Sequence, residues 1–176
     1  MVTILSKEDP VLRAIAQPVT PDMIGSAKLK KTLKDMKAAL AAQDDGVAIA
    51  APQIGVSLRI FVVSGRVFEI LYPEEENAIP KKYPDMVFIN PEITKLSREK
   101  EEMEEGCLSV RYPYGKIIRS KKAKVRAINE KGEMFEVGGT GLLAQIFQHE
   151  TDHLDGKLFI DNATDVHDVP PKTKEE

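Results

Sequence analysis

A single cysteine, Cys107, stands among 176 residues, so no disulfide can form within the chain. A reducing compartment such as the cytoplasm suits such a sequence, and Cys107 must be a core residue, a metal ligand or a nucleophile. No apolar run approaches the roughly 20 residues that span a bilayer. The first ten residues, Met1 to Pro10, lack the basic start and apolar core of a secretory signal. They also carry acids too early for a transit peptide, while an organellar protein that has lost its targeting segment stays open. Neither sign of charge dominates: 25 Lys and Arg face 28 Asp and Glu, a net charge of -3. General attraction to nucleic acid or an acidic membrane is therefore not expected. The cluster Lys121, Lys122 and Lys124 reads as a solvated strand edge.

Hydrophobic residues make up 42% and charged residues 30%, the composition of an ordinary globular domain. No repeat or low-complexity linker divides the chain. The expected organisation is one catalytic domain over residues 1–163 and a flexible tail over 164–176, which holds Pro170, Pro171 and a charged end. Residues 26–43 place Leu29, Leu33, Met36 and Leu40 at three-to-four spacing after Ser26, an amphipathic helix with its cap. Strands are expected at Leu58–Ser64, Val67–Leu71, Met86–Asn90 and Glu92–Leu96, with a hairpin of Val125–Asn129 and Met134–Val137. Three prolines and consecutive glutamates make Tyr72–Asp85 a surface loop or insertion. After Gly138 and Gly139 the period changes to helical, through Leu142, Leu143, Ile146, Phe147, His149, Glu150 and His153. The fold class is thus α+β: small, mostly antiparallel sheets around a buried C-terminal helix, with an amphipathic helix near the N-terminus.

That last helix carries the most informative pattern, His149-Glu150-Thr151-Asp152-His153. Histidines at i and i+4 share a face, so both imidazoles can reach one metal ion. Glu150, turned by about 100° around the axis, can reach a metal-activated water without being a ligand, as a general base does. The pair could also be hydrogen-bonded core or surface histidines, since this motif occurs by chance in unrelated proteins. A catalytic centre needs a third protein ligand and an open position. Cys107, in Glu105-Gly106-Cys107-Leu108-Ser109, is the candidate, with burial as a small hydrophobe the alternative. The small-residue stretch Gly46–Gly55, with Gln53 as its one amide, suits either a close-approach wall of a cleft or a packed turn. Arg111 and Tyr112 follow the cysteine and can shape the cleft mouth.

Together Gly46–Gln53, Glu105–Ser109 and Gln148–His153 resemble, in order, the three signature motifs of the peptide deformylases. The likeness extends to Asp9–Arg13 and from Gly141 to Asp161, most of the chain. The resemblance implies a metal, ferrous iron first and zinc, nickel or cobalt otherwise, held by Cys107, His149 and His153. It implies that water activated by the metal removes the formyl group from N-formyl-methionine of nascent polypeptides. Glu150 would be the general acid and base. The Gln53 amide and the Leu108 backbone N–H would hold the oxyanion. Glu105, Arg119 and Gln148 would orient the ligands from behind. Substrate would be bound by Val47, Ala48, Met103, Glu105, Gly106, Leu142, Gln145 and Ile146, and the partner would be a formylated peptide at the ribosome exit. Ala48 and Ile49 depart from the family's usual glycine and leucine, and Gln145 is polar beside the expected pocket wall. Two other readings stand beside this one. A zinc metallopeptidase would take its third ligand downstream, where His167 is the sole histidine, and a metal-binding module would have no turnover.

Overall fold

In the computed structural model, which describes residues 2–72 and 82–169, the chain is α+β with two antiparallel sheets and three α-helices. Helix α1 (Ala27–Ala41) begins where the Ser26 hydroxyl accepts the Leu29 N–H at 3.2 Å, satisfying a donor the helix itself cannot. Its Leu29, Leu33, Met36 and Leu40 are buried. Strand β1 (Ala48–Ala50) follows, then β2 (Ile60–Val63), helix α2 (Gly65–Leu71) and β3 (Met86–Leu96). Strands β4 (Lys100–Cys107) and β5 (Val110–Ser120) form a hairpin, and so do β6 (Lys122–Ile128) and β7 (Met134–Thr140). Helix α3 (Gly141–Leu154) and β8 (Thr164–Asp168) complete the described chain.

The larger sheet has the order β1-β2-β3-β6-β7, all neighbours antiparallel. Side chains alternate along a strand, and β2 is buried on both faces. Ile60 and Val62 join Val87 and Ile89 against α1. Phe61 and Val63 join Phe88 and Val125 against Leu143, Ala144 and Phe147 of α3. The sheet is therefore sandwiched between the two long helices. The smaller sheet, β4-β5-β8, packs Val110 and Ile117 on Leu12, Leu158 and Phe159. At its C-terminus α3 is held by Arg59, whose Nη1 donates to the Leu154 carbonyl at 3.2 Å and to Asp155 at 2.9 Å. A cation there also meets the negative end of the helix dipole.

Several sequence expectations change. Val67–Leu71 is not a strand but lies in α2, whose first turn the Ser64 hydroxyl caps by accepting from Arg66 N–H at 3.3 Å. Met86–Asn90 and Glu92–Leu96 are one strand, with the register shift between Ile89 and Glu92 absorbing Pro91. The lysine cluster is not a sheet edge, because β6 lies between β3 and β7; Lys121 pairs with Glu99 at 2.6 Å and Lys124 with Glu136 at 2.7 Å. Residues 164–168, expected in a flexible tail, form β8 on β5, with Tyr114 opposite His167. The end of that tail, 170–176, and most of the Tyr72–Asp85 loop, 73–81, lie outside the described residues. Among the described residues, no helix is long and apolar enough to cross a membrane.

Candidate active site

The β4-β5 hairpin and α3 meet at one cleft of about 800 Å³. Cys107 ends β4, and its Sγ lies 3.2 Å from His153 Nε2. His153 Nε2 in turn lies 3.1 Å from His149 Nε2, one turn back along α3. Sulfur and two imidazole nitrogens, all within 4.8 Å of one another, thus point at a common centre. Burial pushes the Cys107 thiol up, but the neighbouring His153 and His149 outweigh it and hold the thiol well below its ordinary range, which favours the thiolate, the ligating form.

His149 is oriented from behind. Its Nδ1 lies 2.6 Å from Glu105 Oε1; because a carboxylate accepts, Nδ1 carries the hydrogen and Nε2 is the nitrogen turned to the centre. Burial pushes the Glu105 carboxyl up, but hydrogen bonds from His149 and Arg119 outweigh it and hold the group at about 2. Arg119 grips Glu105 with both Nε (3.1 Å) and Nη2 (2.7 Å), while its Nη1 reaches Asp152 at 2.7 Å. Gln148 works differently. Its amide accepts from Ser120 N–H at 2.9 Å and donates to the carbonyls of Ser120 (3.0 Å) and Ala144 (2.9 Å), pinning α3 to the end of β5.

Glu150 lies on the adjoining face of α3, lining the cleft and 4% exposed. Its Oε2 is buried without a hydrogen-bond partner. Burial pushes its carboxyl up to about 7; Cys107 and Glu105 add to the rise, and the two histidines oppose it. A carboxyl near neutrality can both take and give a proton at working pH. Across the cleft, Gln53 sits in the turn after β1. Its Oε1 accepts from Ala50 N–H at 2.8 Å, which aims Nε2 at Ser109 Oγ (3.2 Å) and Cys107 Sγ (3.6 Å). Leu108 lines the cleft beside Cys107.

Of the expected substrate residues, Val47, Ala48, Glu105, Gly106, Leu142, Gln145 and Ile146 line this cleft. Met103 does not: it pairs with Ile117 farther along β4, and the cleft wall stops at Glu104. His167 also lies apart from the three donors, exposed on β8 with Nε2 3.4 Å from Glu104. Sequence reasoning passed over Tyr114, whose ring packs on Gly106 and lines the cleft; nothing in Arg111–Gly115 marks it locally. It also passed over Gln43 and Asp45, which hold Arg111 at the mouth, and over Asp152 behind Arg119.

A sulfur and two imidazoles beside a buried carboxyl that opens on a cleft could hold a metal ion, and the unpartnered Glu150 oxygen fits a further group at that centre. The family model described as polypeptide deformylase matches residues 1–169. The chain belongs to this family. It is 38% identical over 161 residues to a peptide deformylase of Acinetobacter baumannii strain SDF, covering 92% of this chain and 82% of that protein. It is 42% identical over 160 residues to one from Halothermothrix orenii strain H 168, covering 90% of each. A solved class I type b peptide deformylase from Acinetobacter baumannii, bound to Met-Ala-Ser, superposes with a TM-score of 0.77 at 33% identity, covering 92% of this chain and 98% of that one. The protein is accordingly a hydrolase, a metal-dependent enzyme that removes formyl groups from peptides.

Proposed function

We propose that the α3 cleft hydrolyses the formyl amide of N-formyl-methionyl peptides with a divalent ion held by Cys107, His149 and His153 and with Glu150 as the proton carrier. The observation that carries this reading is the convergence of those three donors beside a buried, unpartnered Glu150 oxygen in an open cleft. Ferrous iron is the ion proposed, and zinc, nickel or cobalt suit the same mixed sulfur–nitrogen set. When bound, the ion supplies Lewis-acid polarisation of a carbonyl and acidification of water.

Glu150 does the proton work in this reading. As a carboxylate it accepts a proton from the attacking water at Oε2, and as the acid it passes that proton to the departing amine nitrogen. The products are formate and a free N-terminus, so atoms balance with water alone. The Leu108 N–H and, once the sulfur is taken up by the ion, the Gln53 Nε2 hydrogen that now faces Cys107 Sγ serve as donors to the carbonyl oxygen as it gains charge. Glu105 holds His149 in the tautomer that leaves Nε2 available, and Arg119 holds Glu105. Leu142, Gln145 and Ile146, spaced along the same face of α3 as His149, form the slot for the methionine side chain. That a relative from Acinetobacter baumannii has been solved with Met-Ala-Ser bound supports a methionine-led peptide as the ligand class.

The reading takes the N-terminal region through β8 as one catalytic domain, and nascent chains leaving the ribosome as the source of substrate. The cytoplasm is the proposed compartment, since it keeps the single thiol reduced. One relative, from Arabidopsis thaliana, is named chloroplastic/mitochondrial, so an organelle is the other setting.

An anaerobic assay on formyl-Met-Ala-Ser, beside unformylated Met-Ala-Ser, tests this. Formate release without peptide-bond cleavage, abolished by a chelator and restored by Fe(II), is expected. Cleavage of the unformylated peptide would make the protein a peptidase instead, and turnover of neither would leave a binding role.

A further inference from the structure

Gln145 is a polar residue in an otherwise apolar stretch of the cleft wall, between Leu142 and Ile146 on α3. Its Nε2 donates to the Glu104 carbonyl at 2.9 Å and to Glu105 Oε2 at 3.2 Å. Both partners are acceptors, which fixes the amide: its two hydrogens are spent on them and Oε1 is left as an acceptor. No described residue donates to Oε1, and Oε1 is not among the buried atoms sealed without a partner. It therefore opens on the cleft that Gln145 lines. Glu105, by contrast, has nothing left to offer a ligand. Its Oε1 is engaged by Arg119 and His149, and its Oε2 by Arg119 and Gln145.

We propose that Gln145 is a specificity-determining residue, whose Oε1 supplies a hydrogen-bond acceptor to the substrate side-chain slot, so that the slot admits an unbranched side chain ending in an N–H donor, glutamine, beside methionine. This rests on the proposed function, which puts the methionine side chain in that slot. Glutamine and methionine have the same length, and the carboxamide nitrogen takes the position of the terminal methyl. An all-apolar slot would strand that nitrogen without water or partner, whereas an acceptor in the wall offsets the loss.

The test is kcat/KM for formyl-Met-Ala-Ser and formyl-Gln-Ala-Ser on the metal-loaded wild type and on Gln145→Met. The ratio is taken on one protein, so a fall in active fraction cancels. The expected result is that the wild type deformylates both and that Gln145→Met raises the Met-to-Gln preference at least threefold. A smaller rise, or a wild type that processes only the methionine peptide, overturns the inference and leaves the deformylase reading intact. Turnover of neither peptide by the wild type overturns both. Should the variant fail to fold, the wild type alone decides, by comparing the glutamine peptide with an isostere whose terminal NH2 is replaced by CH3. At least threefold preference for the amide is expected, and equal rates contradict the proposal.

Discussion

Arg119 Nη1 lies 2.7 Å from Asp152 Oδ2, and this contact joins the histidine helix to the hairpin that carries the cysteine. The other side of the same guanidinium grips both oxygens of Glu105, which in turn holds His149. One buried cation thus ties α3, β4 and β5 at the point where the three donor atoms must stay together.

Removing that cation leaves Glu105 ionised and buried. Arg119→Ala should therefore lose about 3–5 kcal/mol of stability. Arg119→Lys should lose less than the alanine variant yet fall short of the parent, because an ammonium keeps the charge but not the fork that meets both oxygens. Denaturant midpoints, converted with the measured slopes, check the order. An alanine variant as stable as the parent would mean that the ion pair is dispensable.

The end of α3 has its own constraint. Gly156 has φ of 72°, the left-handed conformation common just past a helix end, and an added Cβ would lie 2.6 Å from the Arg13 carbonyl oxygen. Strain and backbone collision act together, so Gly156→Ala should destabilise the protein by more than about 1 kcal/mol. A lowered thermal midpoint is expected. An unchanged midpoint would show that the Arg13–Ala14 segment moves aside freely.

A pH effect is expected at Asp161, whose carboxylate takes Arg13 Nη1 at 2.9 and 2.7 Å and the Leu158 N–H at 2.9 Å. Burial pushes this carboxyl up, but the Arg13 and Leu158 hydrogen bonds outweigh it and hold it below its ordinary 3.8. A lowered carboxyl stabilises the fold above its unfolded value and loses that contribution as pH falls through the folded one. Both side chains are partly exposed, so the pair contributes only about 0.2–1 kcal/mol. The stability gap between the parent and Asp161→Asn should accordingly be present at pH 7 and shrink as pH falls below the ordinary 3.8. A gap that stays constant over that range would assign the effect to packing.

How much of this was legible in the sequence depends on how local each signal is. His149 and His153 sit one turn apart on a single helix, so their spacing announces their meeting. Cys107 arrives from a separate hairpin, and no periodicity in the chain points it at α3; only the resemblance did. Strands β4 and β5 escaped notice because Lys100–Cys107 is rich in glutamate, a poor strand former. Their order comes from pairing across the hairpin, as between Lys116 and Glu102 at 3.3 Å and Arg119 and Glu105 at 2.7 Å. β8 was hidden likewise: all of Thr164–Asp168 is exposed, so it lacks the apolar alternation that marks a half-buried strand. In Val67–Leu71 the β-branched composition misled, since the cap at Ser64 and the packing of Val67 into the core decide for a helix. Gln145 was visible as a polar residue near the pocket, but its two acceptors lie on β4, forty-odd positions away, and needed the fold.

The account turns on Glu150 as the proton carrier of a metal hydrolase. The most direct measurement is formate release from formyl-Met-Ala-Ser by Glu150→Gln, on protein whose metal content is determined in the same preparation. Glutamine keeps the shape and cannot carry the proton, so metal content should equal that of the parent while kcat falls by roughly 10²- to 10⁴-fold. Deformylation within a few-fold of the parent at equal metal content would contradict it.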